Sequence, residues 1–280
     1  MIRIFQKVSI ECSRILTQHY STSFSLGILA LKKRFRDPIY AIYGFVRLAD
    51  EIVDTFHFID QENMMKKLKT EVDCALENKF SINPVLQAFQ TVVHEYQIDR
   101  ELIDSFLKSM TMDLYLERHD WESYQHYIYG SAEAVGLMCL KIFCDGDQAL
   151  YENLKKPAQH LGAAFQKVNF LRDYSEDLNY RKRIYFPHLP FDESMGEKVK
   201  KTIEQDILKD FKIAYEMGIK KLPSDVRFGV LTAYLFYYYL FMKIKRLSAR
   251  QFLNKRIRLS NSVKIALMPY AFFKHYFNLI

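Results

Sequence analysis

The chain reads as an all-α protein. Only nine Gly and seven Pro occur in 280 residues, too few to punctuate many short strands and turns. No segment alternates apolar and polar residues with period two over the length of a strand. Apolar residues make up 49% of the chain and aromatics 15%, enough for a large core and against global disorder. No repeat of fixed period and no low-complexity tract is visible. The expected architecture is many helices in one domain spanning residues 1–280.

Taken in order, the N-terminal MIRIFQKVSIECSR has no long apolar run before a small-residue cleavage site, so it does not read as a signal peptide. Asp37-Pro38 reads as a helix start, with Asp as cap and Pro in the first turn, leading into IYAIYGFVRLADEIVDTF. Asp60 can cap a helix to about Glu77, which NKFSINP then breaks. Asp99 can start RELIDSFLKSMTMDLYLE. WESYQHYIYGSAEAVGLMCLKIF reads as one helix ending near CDGD. A long pattern from Gln148 to about Tyr180 follows, with a bend expected at Pro157. Pro187 to Gly196 is the clearest loop. A helix from Lys198 to Leu222 stops at Pro223, and Ser224 caps another that runs to about Leu253. A last helix follows Ser260.

Composition narrows the function classes. The net charge of +7 suits anionic partners such as nucleic acid, anionic lipid or phosphorylated substrates, but it also serves plain solubility. Lys and Arg are scattered along the chain and form no nucleic-acid-binding tail, so no nucleic-acid partner is expected. Cys12, Cys74, Cys139 and Cys144 form no CxxC pair and have no His at zinc-finger spacing, which points to reduced thiols and a cytoplasmic setting. Neither GxGxxG nor GxxxxGK[ST] occurs. The run Phe228 to Met242 is strongly apolar but shorter than the roughly 20 residues of a membrane span. With the aromatic C-terminal ALMPYAFFKHYFNLI, it leaves room for peripheral membrane contact.

Two helices carry the chemistry. In Tyr43 to Asp54, steps of about 100° put Arg47, Asp50 and Asp54 within an arc of about 60°. Their neighbours are Phe45, Val46, Leu48, Ile52 and Val53, so the stripe is narrow and set in apolar surroundings. Asn169, Asp173 and Asp177 repeat the pattern over about 80°, with Gln166 inside that arc. A solvated polar face would be wider and more mixed. A narrow acidic stripe on an apolar helix is expected to look into a cavity. Carboxylates one turn apart repel and raise each other's pKa, which a divalent cation relieves. Oxygen ligands without thiols or imidazoles suit Mg²⁺, which binds one or two carboxylates plus substrate phosphates. Two facing stripes then form a site for a diphosphate, with Arg172, Arg181, Lys182 and Arg183 as further donors. An allylic cation left by diphosphate departure needs a dry, aromatic cavity. Tyr20, Phe24, Tyr40, Tyr43, Phe165 and Tyr237 to Tyr239 are candidates, although ordinary core packing is the simpler account of any one of them.

These residues resemble the squalene/phytoene synthase family. Tyr40 to Asp54 and Gln166 to Pro187 match its two signatures, and Tyr20 to Gly27, Met110 to Leu114 and Tyr129 to Gly136 fall in the family's order. The resemblance is strong from about Tyr20 to Pro187 and weaker beyond. It implies an isoprenoid synthase fold and Mg²⁺-dependent head-to-head condensation of two prenyl diphosphates, with Mn²⁺ as a substitute ion. It further implies that Asp50 and Asp54 bind metal for one substrate, and Asn169, Asp173 and Asp177 for the other. Arg47, Arg172 and Arg183 become diphosphate contacts, and Tyr20, Ser21, Ser23, Tyr43, Tyr129 and Gln166 cavity positions. DEIVD and the GLM after Val135 look more like the phytoene branch, which would join two geranylgeranyl diphosphates without NADPH. Farnesyl diphosphate and squalene or dehydrosqualene form the alternative, and a non-catalytic assembly factor at the membrane a further one. Two departures from the family pattern stand out. Glu133 and Ala134 replace a usual Gly and Thr, so Glu133 is either a surface position or an extra carboxylate near the cavity. Tyr174-Ser175 replaces a frequent Val-Gly.

Overall fold

Helix caps set much of the architecture. In the computed structural model, which describes residues 2–187, 189, 195–252 and 257–279, Asp60 accepts from the Asn63 amide and opens the helix Gln61–Asn78. Asn83 caps Pro84–Glu95, with Pro84 at the first helical position. Asp120, Asp147 and Ser260 cap Trp121–Ile128, Gln148–Glu176 and Asn261–Tyr276 in the same way. Numbered in chain order, the α-helices are α1 Ile2–Tyr20, α2 Thr22–Leu29, α3 Lys33–Asp54, α4 Gln61–Asn78, α5 Pro84–Glu95, α6 Arg100–Met112 and α7 Trp121–Ile128. They continue as α8 Ala134–Cys144, α9 Gln148–Glu176, α10 Glu197–Ile213, α11 Ser224–Lys245, α12 Ala249–Phe252 and α13 Asn261–Tyr276. Among the described residues there is no strand, only an isolated bridge between Arg118 and Ile184. The protein is all-α, as its composition and patterning predict.

Several boundaries differ from the sequence reading. α1 and α2 were given by no cap or break signal of the kind used above. α3 starts at Lys33, so Pro38 lies inside it and Asp37 caps nothing. The buried Phe35 anchors that extra turn, edge-on to Phe143 at 6.3 Å. Asp99 makes no capping bond and instead pairs with Lys141 at 3.1 Å. α6 ends at Met112, where the Asp113 side chain is taken by Tyr127 and Tyr185. The long helix expected from Trp121 is divided by a π turn, Tyr129–Glu133. Further π turns occupy Asp177–Arg181 and Ala214–Gly218, the latter followed by a 3₁₀ turn, Ile219–Lys221. α11 stops at Lys245, and Leu253 lies outside the described residues, as does most of the loop expected from Pro187 to Gly196.

Two apolar clusters hold the helices together. One gathers Phe35, Phe45, Phe89, Phe106 and their neighbours from α3, α5, α6 and α8, with Phe45 stacked on Phe89 at 3.9 Å. The other gathers Val168, Leu171, Phe211 and Phe241 from α9, α10 and α11. α9 supplies Leu154 to the first cluster and Val168 to the second, and α11 supplies Val226 and Leu231. α8 packs against both α3 and α9, which sets the two acidic helices on either side of a cavity. The apolar run Phe228 to Met242 is part of α11, whose Leu231, Phe236 and Phe241 are core residues. Among the described residues, Trp121–Cys144 alone is long and apolar enough to cross a membrane, and half of it is buried inside the protein. It is the packed α7–α8 segment.

Candidate active site

The spacing of Arg47, Asp50 and Asp54 places all three on one edge of α3, where each lines a cavity of about 580 Å³. Asn169, Asp173 and Asp177 line it from α9 and its π-turn extension, together with Gln166 and Arg172. The two stripes face each other, because one side chain touches both. Arg181 reaches Asp177 at 2.8 Å and Asp54 at 3.3 Å.

Every acidic group of the site has a basic partner. Arg47 binds Asp50 and Glu51, a neighbour that the 60° arc passes over. Arg172 chelates Asp173, with Nε at 2.9 and 3.1 Å from its two oxygens. Arg183 donates to Asp54 at 2.7 Å and to the Val53 carbonyl at 3.1 Å, and lies 3.7 Å from Asp113. Lys182 between them has φ 58° and is exposed. That left-handed residue turns the chain so that Arg181 and Arg183 both address Asp54, and Lys182 itself adds no donor to the site. Asp113 is almost wholly buried and accepts from Tyr127 at 2.6 Å and Tyr185 at 3.2 Å.

Burial shapes the protonation of these groups. It pushes Asp50 up to about 6, with the neighbouring Asp54 charge adding to the rise. Burial also lifts Asp177 to about 6 and Asp113 to about 7, against the pull of Arg181 and Arg183 respectively. The same burial works against the charge on Arg183, but Asp113, Tyr185 and Asp54 outweigh it and raise its pKa. Six carboxylates (Asp50, Glu51, Asp54, Asp113, Asp173 and Asp177) thus meet four guanidiniums (Arg47, Arg172, Arg181 and Arg183). The surplus is negative, the donors are all oxygen, and the buried Asn169 Oδ1 has no partner. This set fits a hard divalent cation that arrives with its own oxygen ligands. Among the described residues, no three His, Cys, Asp or Glu side chains stand close enough to hold a metal unaided.

Beyond the charged mouth the cavity is apolar. Phe165 stacks on Tyr237 at 4.0 Å, and Phe24 lies 5.3 Å from Tyr43 and 5.9 Å from Tyr237. Tyr20 lies under the Arg47 guanidinium at 4.2 Å, and Ser21 caps α2 by accepting from the Phe24 amide at 3.2 Å. Burial pushes the Tyr43 hydroxyl up to about 12. Of the expected aromatics, Tyr20, Phe24, Tyr43, Phe165 and Tyr237 line the cavity. Tyr40 is core, Tyr238 stacks on Tyr234, and Tyr239 is exposed.

Three expected contacts stand outside the cavity wall: Ser23, Tyr129 and Arg183. Tyr129 begins the π turn, two residues past the cavity-lining Tyr127 and so about 200° round the helix. Arg183 sits behind Asp54 as its support. Glu133 is neither a surface residue nor part of the wall. It is half-buried, accepts from Gln159 at 3.0 Å, and is pushed up to about 7 by burial and then by Asp210. Asp113, Tyr127 and Glu51 are site residues that helix-wheel spacing did not single out.

The family profile described as squalene/phytoene synthase matches residues 17–198, more than half of the chain. The chain belongs to the squalene/phytoene synthase family. It is therefore a prenyltransferase. Curated members of the family include a phytoene synthase of Arthrospira platensis, 28% identical over 94% of this chain and 92% of that one. The chloroplastic phytoene synthase 2 of Solanum lycopersicum is 27% identical over 94% and 89%. In three dimensions this prenyltransferase superposes on a dehydrosqualene synthase with a TM-score of 0.83 and 21% identity, covering 99% of both chains. It also superposes on the squalene synthase HpnC of Alicyclobacillus acidocaldarius, with a TM-score of 0.76 and 19% identity over 90% and 97%. The fold is that of the isoprenoid synthases.

Proposed function

We propose that the protein joins two geranylgeranyl diphosphates head to head, giving phytoene by way of prephytoene diphosphate. The observation that carries this reading is the pair of facing carboxylate stripes at the mouth of an aromatic-lined apolar cavity. The phytoene synthases matched over 94% of the chain support the choice of product. In this reading Asp50 and Asp54 hold Mg²⁺ for one diphosphate, and Asn169, Asp173 and Asp177 hold it for the other; Mn²⁺ has the same ligand preference. The ion supplies charge neutralisation that helps diphosphate leave. Arg47, Arg172 and Arg181 then bind diphosphate oxygens, and Arg183 keeps Asp54 in place.

The chain's own part in the reaction is positioning and exclusion of water. One diphosphate leaves, the double bond of the second substrate attacks the allylic cation, and loss of one proton closes the ring of a cyclopropyl diphosphate. That diphosphate leaves in turn, the skeleton rearranges, and a second proton is lost. Tyr43, Phe165 and Tyr237 line the cavity with aromatic rings that can stabilise the cationic carbons. Among the described residues no His lines the cavity, and released diphosphate serves as the proton acceptor in this reading. Phytoene formation needs no hydride, so NADPH has no role.

The full-length superposition on a dehydrosqualene synthase favours, as a second reading, the same chemistry on farnesyl diphosphate. Incubation of purified protein with Mg²⁺ and each prenyl diphosphate decides between them. Phytoene from geranylgeranyl diphosphate is expected. A product from farnesyl diphosphate alone reverses the substrate choice. No product from either, with folded protein, leaves the assembly-factor reading.

A further inference from the structure

Helix α13 is built inside out. The line it buries contains Lys264, Leu267 and Ala271, packed towards α11. Its outer face and the residues after it present Ile265, Phe272, Phe273, Tyr276, Phe277 and Leu279, each between 47% and 69% exposed. Its charged side chains Lys264, Lys274 and His275 are all less exposed than these. A helix on a water-facing surface has the opposite arrangement. The outer rings are also ordered among themselves, Phe273 stacked on Phe277 at 6.0 Å and Phe272 on Tyr276 at 5.7 Å.

Charge gives an independent observation. Lys and Arg are scattered through the chain, but Asp and Glu are not. After Asp225 there is no acidic residue at all, while ten Lys and Arg occur. The part of the chain before that point is net acidic, so the whole excess of +7 belongs to residues 226–280. Part of it borders the aromatic face. Lys274 bonds the Tyr215 hydroxyl at 3.2 Å, and Arg227 bonds Asn278 at 3.3 Å.

We propose that α13 lies flat on an anionic lipid bilayer, its aromatic face sunk to the level of the headgroups. With 16 residues it is too short to span a membrane core, which takes about 20. Outward aromatic rings and a basic surround are the combination that an anionic interface recognises. A second copy of the chain would oppose one basic C-terminal segment, without Asp or Glu after Asp225, to another, and repulsion disfavours that pairing. Docking on this face also places the cavity beside the bilayer. Lys264 bonds Thr22 at 2.5 Å, and Phe24, Gly27 and Ile28 of the same helix α2 line the cavity. α11, on which α13 packs, lines it with Gly229, Ala233 and Tyr237.

Co-sedimentation of the full chain with vesicles tests this without any substrate, so the outcome is independent of the reaction proposed above. The wild type should pellet with phosphatidylcholine vesicles containing phosphatidylglycerol roughly tenfold better than with phosphatidylcholine alone, and the binding should weaken with salt. The double variant Phe273→Ser/Phe277→Ser should lose about tenfold in partition while melting like the wild type, since both rings are exposed. Phe58→Ser, a still more exposed ring on the α3–α4 connection, should bind as the wild type does. Three results overturn the proposal: no binding to either vesicle, unchanged binding by the double variant, or the same loss in Phe58→Ser. A wild-type dimer that the double variant turns into monomer overturns it too, by assigning the face to a second copy.

Discussion

Asp50 and Asp173 each line the cavity and each pairs with a guanidinium. Asp50→Asn or Asp173→Asn keeps the size and the helix but removes the charge. Each should cut turnover by about a hundredfold or more, some 3 kcal/mol of barrier, with the helical circular dichroism signal unchanged. Wild-type turnover in either variant would refute their assignment to the diphosphate site. Asp113 gives a different readout. Its folded pKa is raised to about 7, so the folded protein holds a proton there that the unfolded chain releases near pH 4. Stability from that proton is complete below pH 4 and declines as pH rises towards 7, with a limiting slope of about 1.4 kcal/mol per pH unit. Asp113→Asn should flatten this decline, measured as denaturation midpoints from pH 4 to 8. The stripes were legible in the sequence because their members sit on α3 and α9 up to Asp177, where the π turn only begins, so 100° arithmetic still holds. Asp113 was not, because its partners come from elsewhere: Tyr127 is 14 residues away and Tyr185 is 72.

At the scale of elements, caps were the readable part. Asp60, Asn83-Pro84 and Ser260 work through bonds to residues two or three positions on, so a short window holds all the information. The π turns were not readable, because contacts from distant helices decide where a helix must widen. Gly130 in the first π turn shows the cause. A Cβ there would run into the Ser105 carbonyl and meet the Ser109 hydroxyl at 2.6 Å, both on α6. Gly130→Ala should therefore destabilise the protein by about 1–3 kcal/mol, seen as a lower melting temperature. The reach of Arg181 and Arg183 was half readable. Basic residues after Asp177 were expected near phosphate, but a left-handed Lys182 carries no glycine to announce the turn.

At the scale of the molecule, α9 and α11 run through both apolar clusters, and Val230 packs against each of them. Unfolding one cluster would strip both helices of partners they share with the other. The domain assignment to residues 1–280 thus predicts a single cooperative transition, with calorimetric and van't Hoff enthalpies in agreement. Two separate transitions would divide the chain. The all-α class was legible from the scarcity of glycine and proline, since that signal accumulates over the whole chain. The charge asymmetry was equally present in the sequence, but only the absence of acids reveals it, and counting bases hides it.

The pairing of each site carboxylate with an arginine makes ligand entry a double exchange. A cation alone must pull Asp54 from Arg181 and Arg183, leaving Arg181 with Asp177 alone and Arg183 with the more distant Asp113. A diphosphate alone must pull Arg172 from Asp173 and take away the guanidinium that chelates it. Arriving together, each takes the partner that the other releases, as in the swapping of ions between two salts. The two ligands should therefore bind with positive coupling, each tightening the other by the same factor. Calorimetric titration of inorganic diphosphate should show affinity at least about tenfold higher with Mg²⁺ present, a coupling of about 1.4 kcal/mol.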